Sequence, residues 1–277
     1  MADIYGSHFE YGGVSSRRYG LMFASVDAGR ALGVSGSISG VTAFNRKDKR
    51  RYLIDDDYAE SPLSMDVEIV SDNGRGLMLE DRKEIERWLF NRAVYMKLFL
   101  DMEDDCRGET YEMIDGEIKR LYLNARFINA SRIEGNGGYY GYRATLEADS
   151  GWWWQESIVK EFSLNHANAG ASSQIEIEAV SDIDDFIYPK VTFVTGSSGG
   201  QITIVNNTDD ENRMTRFIEL APAATVTMRG ETNYVSGGNY QKMYRTNFPR
   251  LVPGLNTLTV TGNVSSMSIE WNNRRML

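Results

Sequence analysis

The sequence predicts a mainly β protein, with an antiparallel sheet structure carrying one α-helix in its first half and a β-sandwich in its second. Three observations carry this expectation. Short runs in which apolar and polar residues alternate recur along the chain, punctuated by Gly-, Pro- and Asn-containing turns, as half-buried strands require. A helical period appears in one stretch, residues 80–90. Finally, the alternation of residues 140–148 breaks at Asp149-Ser150-Gly151, and three tryptophans follow, Trp152, Trp153 and Trp154. Neighbouring residues on an extended chain point to opposite faces, so at least one indole turns away from the core that the others enter. A second domain or a second copy of the protein is the simplest cover for it, which places a seam between two β-rich halves here. One uninterrupted sandwich with an aromatic strand is the alternative.

Composition sets the bounds. A chain of 277 residues is long enough for two domains of ordinary size. Its 42% hydrophobic and 25% charged residues lie in the globular range, which argues against wholesale disorder. The net charge of -9 supplies no basic field for phosphates, so nucleic acid is not an expected partner. Cys106 is the sole cysteine, so no intrachain disulfide can form and the fold rests on packing. Met1-Ala2-Asp3-Ile4-Tyr5-Gly6 lacks the basic and apolar regions of a secretion signal, and no stretch reaches the roughly eighteen apolar residues of a membrane span. A soluble protein without membrane insertion is expected.

Taken in order, residues 9–27 place Gly12-Gly13 between two apolar-aromatic runs, a strand-turn-strand opening. Residues 28–58 show scattered glycines and no sustained period. They then carry the basic cluster Arg46, Lys47, Lys49, Arg50 and Arg51, running into Asp55-Asp56-Asp57, and are expected to form a long loop of the kind that has a function or orders on binding. Leu63, Met65, Val67 and Ile69 alternate as a strand before the turn pair Asn73-Gly74. In residues 80–90, Ile85, Trp88 and Leu89 fall at i, i+3 and i+4 behind an acidic first turn. The stripe is narrow, as for a helix lying on a sheet, and Trp88 is read as packing rather than ligand stacking. A strand over residues 95–100, an acidic loop over 101–107 and a turn at Asp115-Gly116 follow. Leu121, Leu123, Ala125 and Phe127 then alternate toward Asn136-Gly137, whose turn chemistry returns the chain as the strand that precedes the tryptophans. Beyond them, residues 165–173 read as a loop. The rest reads as short strands around Ile175, Phe193, Ile202, Phe217, Val260 and Ile269, the pattern of a sandwich. No fixed-period repeat is present.

The chemistry-bearing residue types do not assemble into a catalytic, cofactor or metal motif. His8 and His166 both read as loop residues, and no nucleophile elbow accompanies them. One cysteine with two distant histidines does not make a structural zinc site. The acidic runs Asp182-Ile183-Asp184-Asp185 and Asp209-Asp210-Glu211-Asn212 lack the glycine and terminal glutamate of an EF-hand and read as solvated loops. The run Gly135-Asn136-Gly137-Gly138 leads into a strand instead of a helix, so it is a turn and not a phosphate cradle.

Four blocks, in order, resemble the distal tail proteins of long-tailed (siphovirus-type) bacteriophages: Phe9-x-Tyr11-Gly12-Gly13-x-Ser15-Ser16 with Tyr19-Gly20-Leu21; Glu84-Ile85-Glu86-Arg87-Trp88-Leu89; residues 140–154; and Tyr188-Pro189-Lys190, Ile202-Thr203-Ile204-Val205-Asn206 and residues 248–256. The resemblance implies a ring-forming domain over residues 1–157, with its helix near 80–91, and a galectin-like sandwich over 158–277. It also implies a non-enzymatic hexameric ring in the virion tail, assembled in the bacterial host cytoplasm. Such a ring needs no cofactor, and its partners are other copies of itself, the tail tube protein on one face and a tail-tip or tail-associated protein on the other. A carbohydrate-binding module or adhesin is the runner-up, prompted by the galectin-like half and by Tyr234, Tyr240 and Tyr244. An enzyme of glycan turnover rests only on generic carboxylates and comes last.

In a ring, each subunit presents one surface to a different surface of its neighbour, so opposite charges on one chain can meet across copies. Arg46, Lys49 and Arg51 are the basic candidates for the subunit interface. Asp55, Asp56 and Asp57, or Glu103-Asp104-Asp105, are their acidic counterparts, while Trp152, Trp153 and Trp154 are the candidates for the domain junction.

Overall fold

The computed structural model describes residues 6–24, 38–45, 50–58, 63–105, 108–135, 138–209, 213–244 and 247–276, the backbone alone in 38–45 and 50–58. The chain divides into two compact units, Met1–Gln155 with Arg275–Leu277, and Glu156–Arg274.

The first unit opens with β1 (Phe9–Tyr11) and β2 (Val14–Ser15). They join at Gly12 and Gly13, whose φ of 58° and 81° form the two-residue turn that L side chains resist. Next come β3 (Leu21–Ala24), the hairpin β4 (Ile38–Asn45) with β5 (Arg50–Tyr58), β6 (Ser64–Ser71) and the helix α1 (Leu79–Leu89). After the helix follow β7 (Met96–Leu100), β8 (Tyr111–Ile114), the long pair β9 (Glu117–Gly135) and β10 (Gly138–Ala148), and β11 (Trp153–Gln155). The main path of the sheet runs β2-β1-β7-β9-β10-β6-β3, with β8 and β11 also on β9. Its pairings are antiparallel. The register sets Tyr142 opposite Ile69 and Leu146 opposite Met65, so the alternation read in the sequence delivers one face of β10 to the core. Gly141 lets β10 press against β6, since a Cβ there would sit 2.2 Å from the carbonyl oxygen of Ile69.

Glu80 and Asp81 complement the dipole at the start of α1. The helix buries Ile85, Trp88 and Leu89 on an aromatic floor in which Phe9 stacks on Phe23 at 4.3 Å and on Trp88 at 5.8 Å. The Trp88 Nε1–H donates to the Tyr11 carbonyl at 2.8 Å, which satisfies the one polar atom of the indole. Tyr11 itself is fully buried, and desolvation pushes its phenol up to about 12. The neutral ring therefore stabilises the unit below the ordinary tyrosine value of about 10, and that contribution is lost as pH rises through the folded value.

One expectation for this unit is corrected. Residues 28–58 are not one long loop, because 38–45 and 50–58 pair as a hairpin in which Arg51 stands opposite Phe44 and Asp55, Asp56 and Asp57 stand opposite Val41, Gly40 and Ser39. The hairpin is a two-stranded sheet of its own, so no shared core imposes the alternation that would have shown it in the sequence. Trp153 is a core residue of the first unit, packed in the same cluster as Trp88 and Leu121. The turn Asn136-Gly137, with Arg46, Lys47, Lys49 and Cys106, lies outside the described residues.

The second unit is a sandwich of two five-stranded antiparallel sheets. Its strands are β12 (Ile158–Ser163), β13 (Ser172–Ala179), β14 (Lys190–Thr195), β15 (Gly200–Asn206), β16 (Met214–Leu220) and β17 (Thr225–Arg229). The remainder are β18 (Tyr234–Val235), β19 (Met243–Tyr244), β20 (Gly254–Gly262) and β21 (Val264–Trp271). One sheet runs β12-β21-β14-β17-β18 and the other β13-β20-β15-β16-β19. Phe193 of the first meets Phe217 of the second edge-on, with 5.6 Å between the ring centres. The strand β12 has no counterpart in the sequence reading, because Lys160 stands between Ile158 and Phe162 and hides their shared face. A last short strand, β22 (Arg274–Arg275), pairs with β11.

Candidate assembly surface

In the first unit, the outer half of β9 leaves the core, with residues 129–132 exposed. Together with α1 it forms an open groove of 340 Å³ lined by Glu86, Phe90, Ala130, Ser131, Arg132 and Tyr142. Arg132 grips Glu86 with two parallel hydrogen bonds, Nε to Oε1 at 2.7 Å and Nη2 to Oε2 at 2.9 Å. The Arg132 hydrogen bond is the main cause that holds the Glu86 carboxyl below its usual range. The neighbouring Tyr142 phenol is pushed up by burial first and by Glu86 second, so it stays neutral and donates toward the carboxylate at 3.4 Å. Phe90 lies 5.1 Å from the Tyr142 ring and supplies the apolar wall. Above the groove, Tyr139 carries two guanidinium groups, Arg82 at 4.4 Å and Arg132 at 5.6 Å. Arg82 forms no ion pair among the described residues, and its buried Nε meets no acceptor there.

A second polar cluster ties the N-terminal strands to the loop after β7. Arg17 reaches Asp101 at 2.6 Å and Asp104 at 3.0 Å. The His8 N–H donates to Asp104 at 2.7 Å, and the imidazole lies 2.8 Å from Asp104 and 3.3 Å from Asp72. Burial alone would raise the Asp101 and Asp104 carboxyls, but these hydrogen bonds outweigh it and hold both low. Asp105 accepts from Gly108 and from Thr110. The acidic run Glu103-Asp104-Asp105 makes these contacts within its own chain, while the Glu103 side chain stays largely exposed. His8 lies in a loop, as expected, but within this ion cluster. His166 is buried in the second unit, with its ring nitrogens 2.9 Å from the Gly262 carbonyl and 2.7 Å from Ser173 Oγ.

Sequence reasoning also missed the polar centre of the second unit. Asp209, read as part of a solvated loop, is 2% exposed and takes Arg250 at 2.6 and 2.9 Å. The Arg250 guanidinium carbon lies 3.5 Å from the centre of the Phe186 ring, and the Arg250 carbonyl accepts from Asn206, which also donates to Asn256. Trp152 and Trp154 meet edge-on at 5.8 Å. Among the described residues, no group of His, Cys, Asp and Glu is disposed to hold a metal ion, and no helix is long and apolar enough to cross a membrane.

Residues 4–150 match the family described as phage tail protein N-terminal domain. The chain belongs to this family of phage tail proteins. Residues 153–271 of the phage tail protein match a second description, phage tail C-terminal domain. No curated protein matches it. Its fold is similar to that of the SPP1 Dit protein, described as a paradigm of the hub adsorption apparatus in phages that infect Gram-positive hosts. The two share 11% identity and a TM-score of 0.64 over 97% of this chain and 99% of that one. A chain of the phage P2 baseplate in its activated, calcium-bound conformation is similar at 9% identity and a TM-score of 0.50, over 97% and 98% of the two chains. The phage tail protein thus has the mainly antiparallel β fold of a distal tail hub protein along nearly its whole length.

Proposed function

We propose that six copies of this phage tail protein close into an adaptor ring that joins the tail tube to the host-binding tail tip or baseplate. The observation that carries the reading is that both units match phage tail domains while the whole chain shares the fold of a tail hub protein. In this reading residues 1–157 build the ring and residues 158–277, a galectin-like sandwich, decorate it. The protein is then a scaffold of the virion, put together in the host cytoplasm, and it performs no catalysis. The residues proposed for contact between copies are Arg46 and Lys49, which lie outside the described residues, with Arg51, Asp55, Asp56 and Asp57 of the β5 segment. Trp152 and Trp154 are the residues proposed for the junction.

The test is the mass in solution by light scattering. A species of six times 31.3 kDa is expected, and a monomer at every concentration counts against the ring. Reversing Arg46, Lys49 and Arg51 to glutamate is expected to lower the hexamer population at physiological salt without unfolding the subunit. High salt is expected to weaken the wild-type ring as well. Unchanged mass and unchanged salt response in the triple variant would sink the role given to these residues.

A carbohydrate-binding reading of the second unit is favoured by the exposure of Tyr234, Tyr240 and Tyr244, at 50%, 44% and 50%. Arg216 already lies over the Tyr244 ring at 5.3 Å. Binding of the isolated monomer to host-surface glycans, lost on Tyr234→Ala and Tyr240→Ala, would move that reading ahead of the ring.

A further inference from the structure

We infer that Asn73, in the turn between β6 and α1, is a site of self-modification: the Gly74 nitrogen closes on the Asn73 side chain with loss of ammonia, and water opens the ring to aspartate and isoaspartate. This chemistry needs no partner, cofactor or second copy.

The reaction requires a free backbone nitrogen, a reachable side-chain carbonyl carbon and a leaving group that nothing retains. Gly74 meets the first need. It has no side chain to block the approach of its nitrogen to Asn73 Cγ, its φ is 68°, and a Cβ placed on it would meet no atom within 4 Å, so the chain has open space in which to turn. The Gly74 N–H is held only by a long 3.4 Å contact to the Ser71 carbonyl. Asn73 meets the second need. The residue is exposed, and its Oδ1 accepts from the Arg75 N–H at 2.9 Å and from the Ser71 hydroxyl at 3.1 Å. A backbone N–H can only donate, so the atom that faces Arg75 is the oxygen. Two donors on that oxygen draw electrons from Cγ and stabilise the negative charge that gathers on Oδ1 when the carbon is attacked. The third need is met by Asn73 Nδ2, which makes no hydrogen bond among the described residues and leaves into water unhindered.

Atoms balance with water alone. Gly74 N forms a bond to Asn73 Cγ, the Cγ–Nδ2 bond breaks, and the proton of Gly74 passes through solvent to the departing nitrogen, which leaves as ammonia. The resulting cyclic imide then takes up one water. Opening at Cγ gives aspartate. Opening at the Asn73 backbone carbonyl leaves Gly74 attached through Cγ and gives isoaspartate, whose main chain is longer by a methylene. Either product adds a carboxylate next to Asp72, whose Oδ2 lies 3.3 Å from His8 Nε2.

Asn168 is the internal comparison. It is exposed too, and its Oδ1 accepts from the Gly170 N–H at 3.0 Å, but Ala169 follows it and carries a Cβ.

The test incubates the full chain in warm, mildly alkaline buffer and follows tryptic peptides by mass spectrometry, with an isoaspartyl methyltransferase to mark isoaspartate. Trypsin cuts at Arg75 and Arg132, so Asn73 is read separately from the other Asn-Gly pair, Asn136-Gly137. Asn73 is expected to convert about tenfold or more faster than Asn168, because only Gly74 leaves its nitrogen open to approach. Isoaspartate should exceed aspartate, and the rate should rise by about tenfold per unit of pH, since the attacking nitrogen must first lose its proton. Ser71→Ala is expected to slow conversion about twofold or more by taking one donor from Oδ1. Asn73→Gln, whose longer side chain closes a larger ring, is expected to lose the isoaspartate signal from this peptide. Conversion no faster than at Asn168, or conversion in urea but not in the folded chain, would show that the turn shields Asn73 and would overturn the site. An unchanged rate in Ser71→Ala would overturn the part given to the two donors.

Discussion

Asp209→Ala is expected to melt the second unit roughly 10–20 °C below the wild-type transition, the largest loss expected for a single carboxylate among the described residues. Asp209 and the Arg250 side chain are both almost fully buried, at 2% and 7% exposure, and meet through two short hydrogen bonds. Such a pair adds little net stability when intact, since desolvating two charges cancels most of their attraction. Removing one partner is different: the buried Arg250 guanidinium, over Phe186, loses the carboxylate that takes two of its hydrogen bonds, at a cost of about 3–5 kcal/mol. The loss should extend beyond the pair, because the Arg250 carbonyl also anchors Asn206. Differential scanning calorimetry of the full chain checks this. A melting temperature within about 2 °C of wild type would show that the pair is hydrated, and replacing both residues by apolar ones should cost much less than the single change.

Trp88→Ala should do comparable damage to the first unit. The indole is 5% exposed, stacks on Phe9 and lies 5.5 Å from Tyr19, so its deletion leaves a cavity under α1 worth about 3–5 kcal/mol. It also strips the Tyr11 carbonyl of its Trp88 donor. Trp88→Phe separates the two contributions: most of the apolar contact survives, and the lost hydrogen bond should cost about 1–3 kcal/mol. Urea titration followed by circular dichroism reads both. Equal losses for the two substitutions would mean that the hydrogen bond, and not the packing, holds the helix down.

Where a local period had to satisfy a core, it was legible. Ile85, Trp88 and Leu89 disclosed α1 and its buried face, and Leu121, Leu123, Ala125 and Phe127 disclosed the inner half of β9. Gly12-Gly13 marked a real hairpin turn. Where no core enforced a pattern, the sequence was silent, as in the β4–β5 hairpin. Charge was the least legible property. Asp209 and Arg250 are 41 residues apart and Glu86 and Arg132 are 46 apart, so neither pair has a local signature. An acidic run reads as solvated until the residue that faces it is known. The groove was invisible for the same reason: its walls come from α1, β9 and β10, and only tertiary pairing brings Glu86 to Arg132. The family resemblance, resting on the order of four blocks, reached further than any single motif because a fold is preserved along the whole chain at 11% identity.

The short strand β22 gives the chain an unusual response to cleavage. After leaving the first unit at Gln155 and completing the sandwich, the chain comes back to pair with β11, and Arg275 forms an ion pair with Glu112. A protease that cuts the connection after Gln155 therefore does not by itself set the sandwich free. The fragment beginning at Glu156 still ends in β22, the strand that pairs with β11. The C-terminal residues thus belong to the first unit although the sandwich separates them from it in sequence.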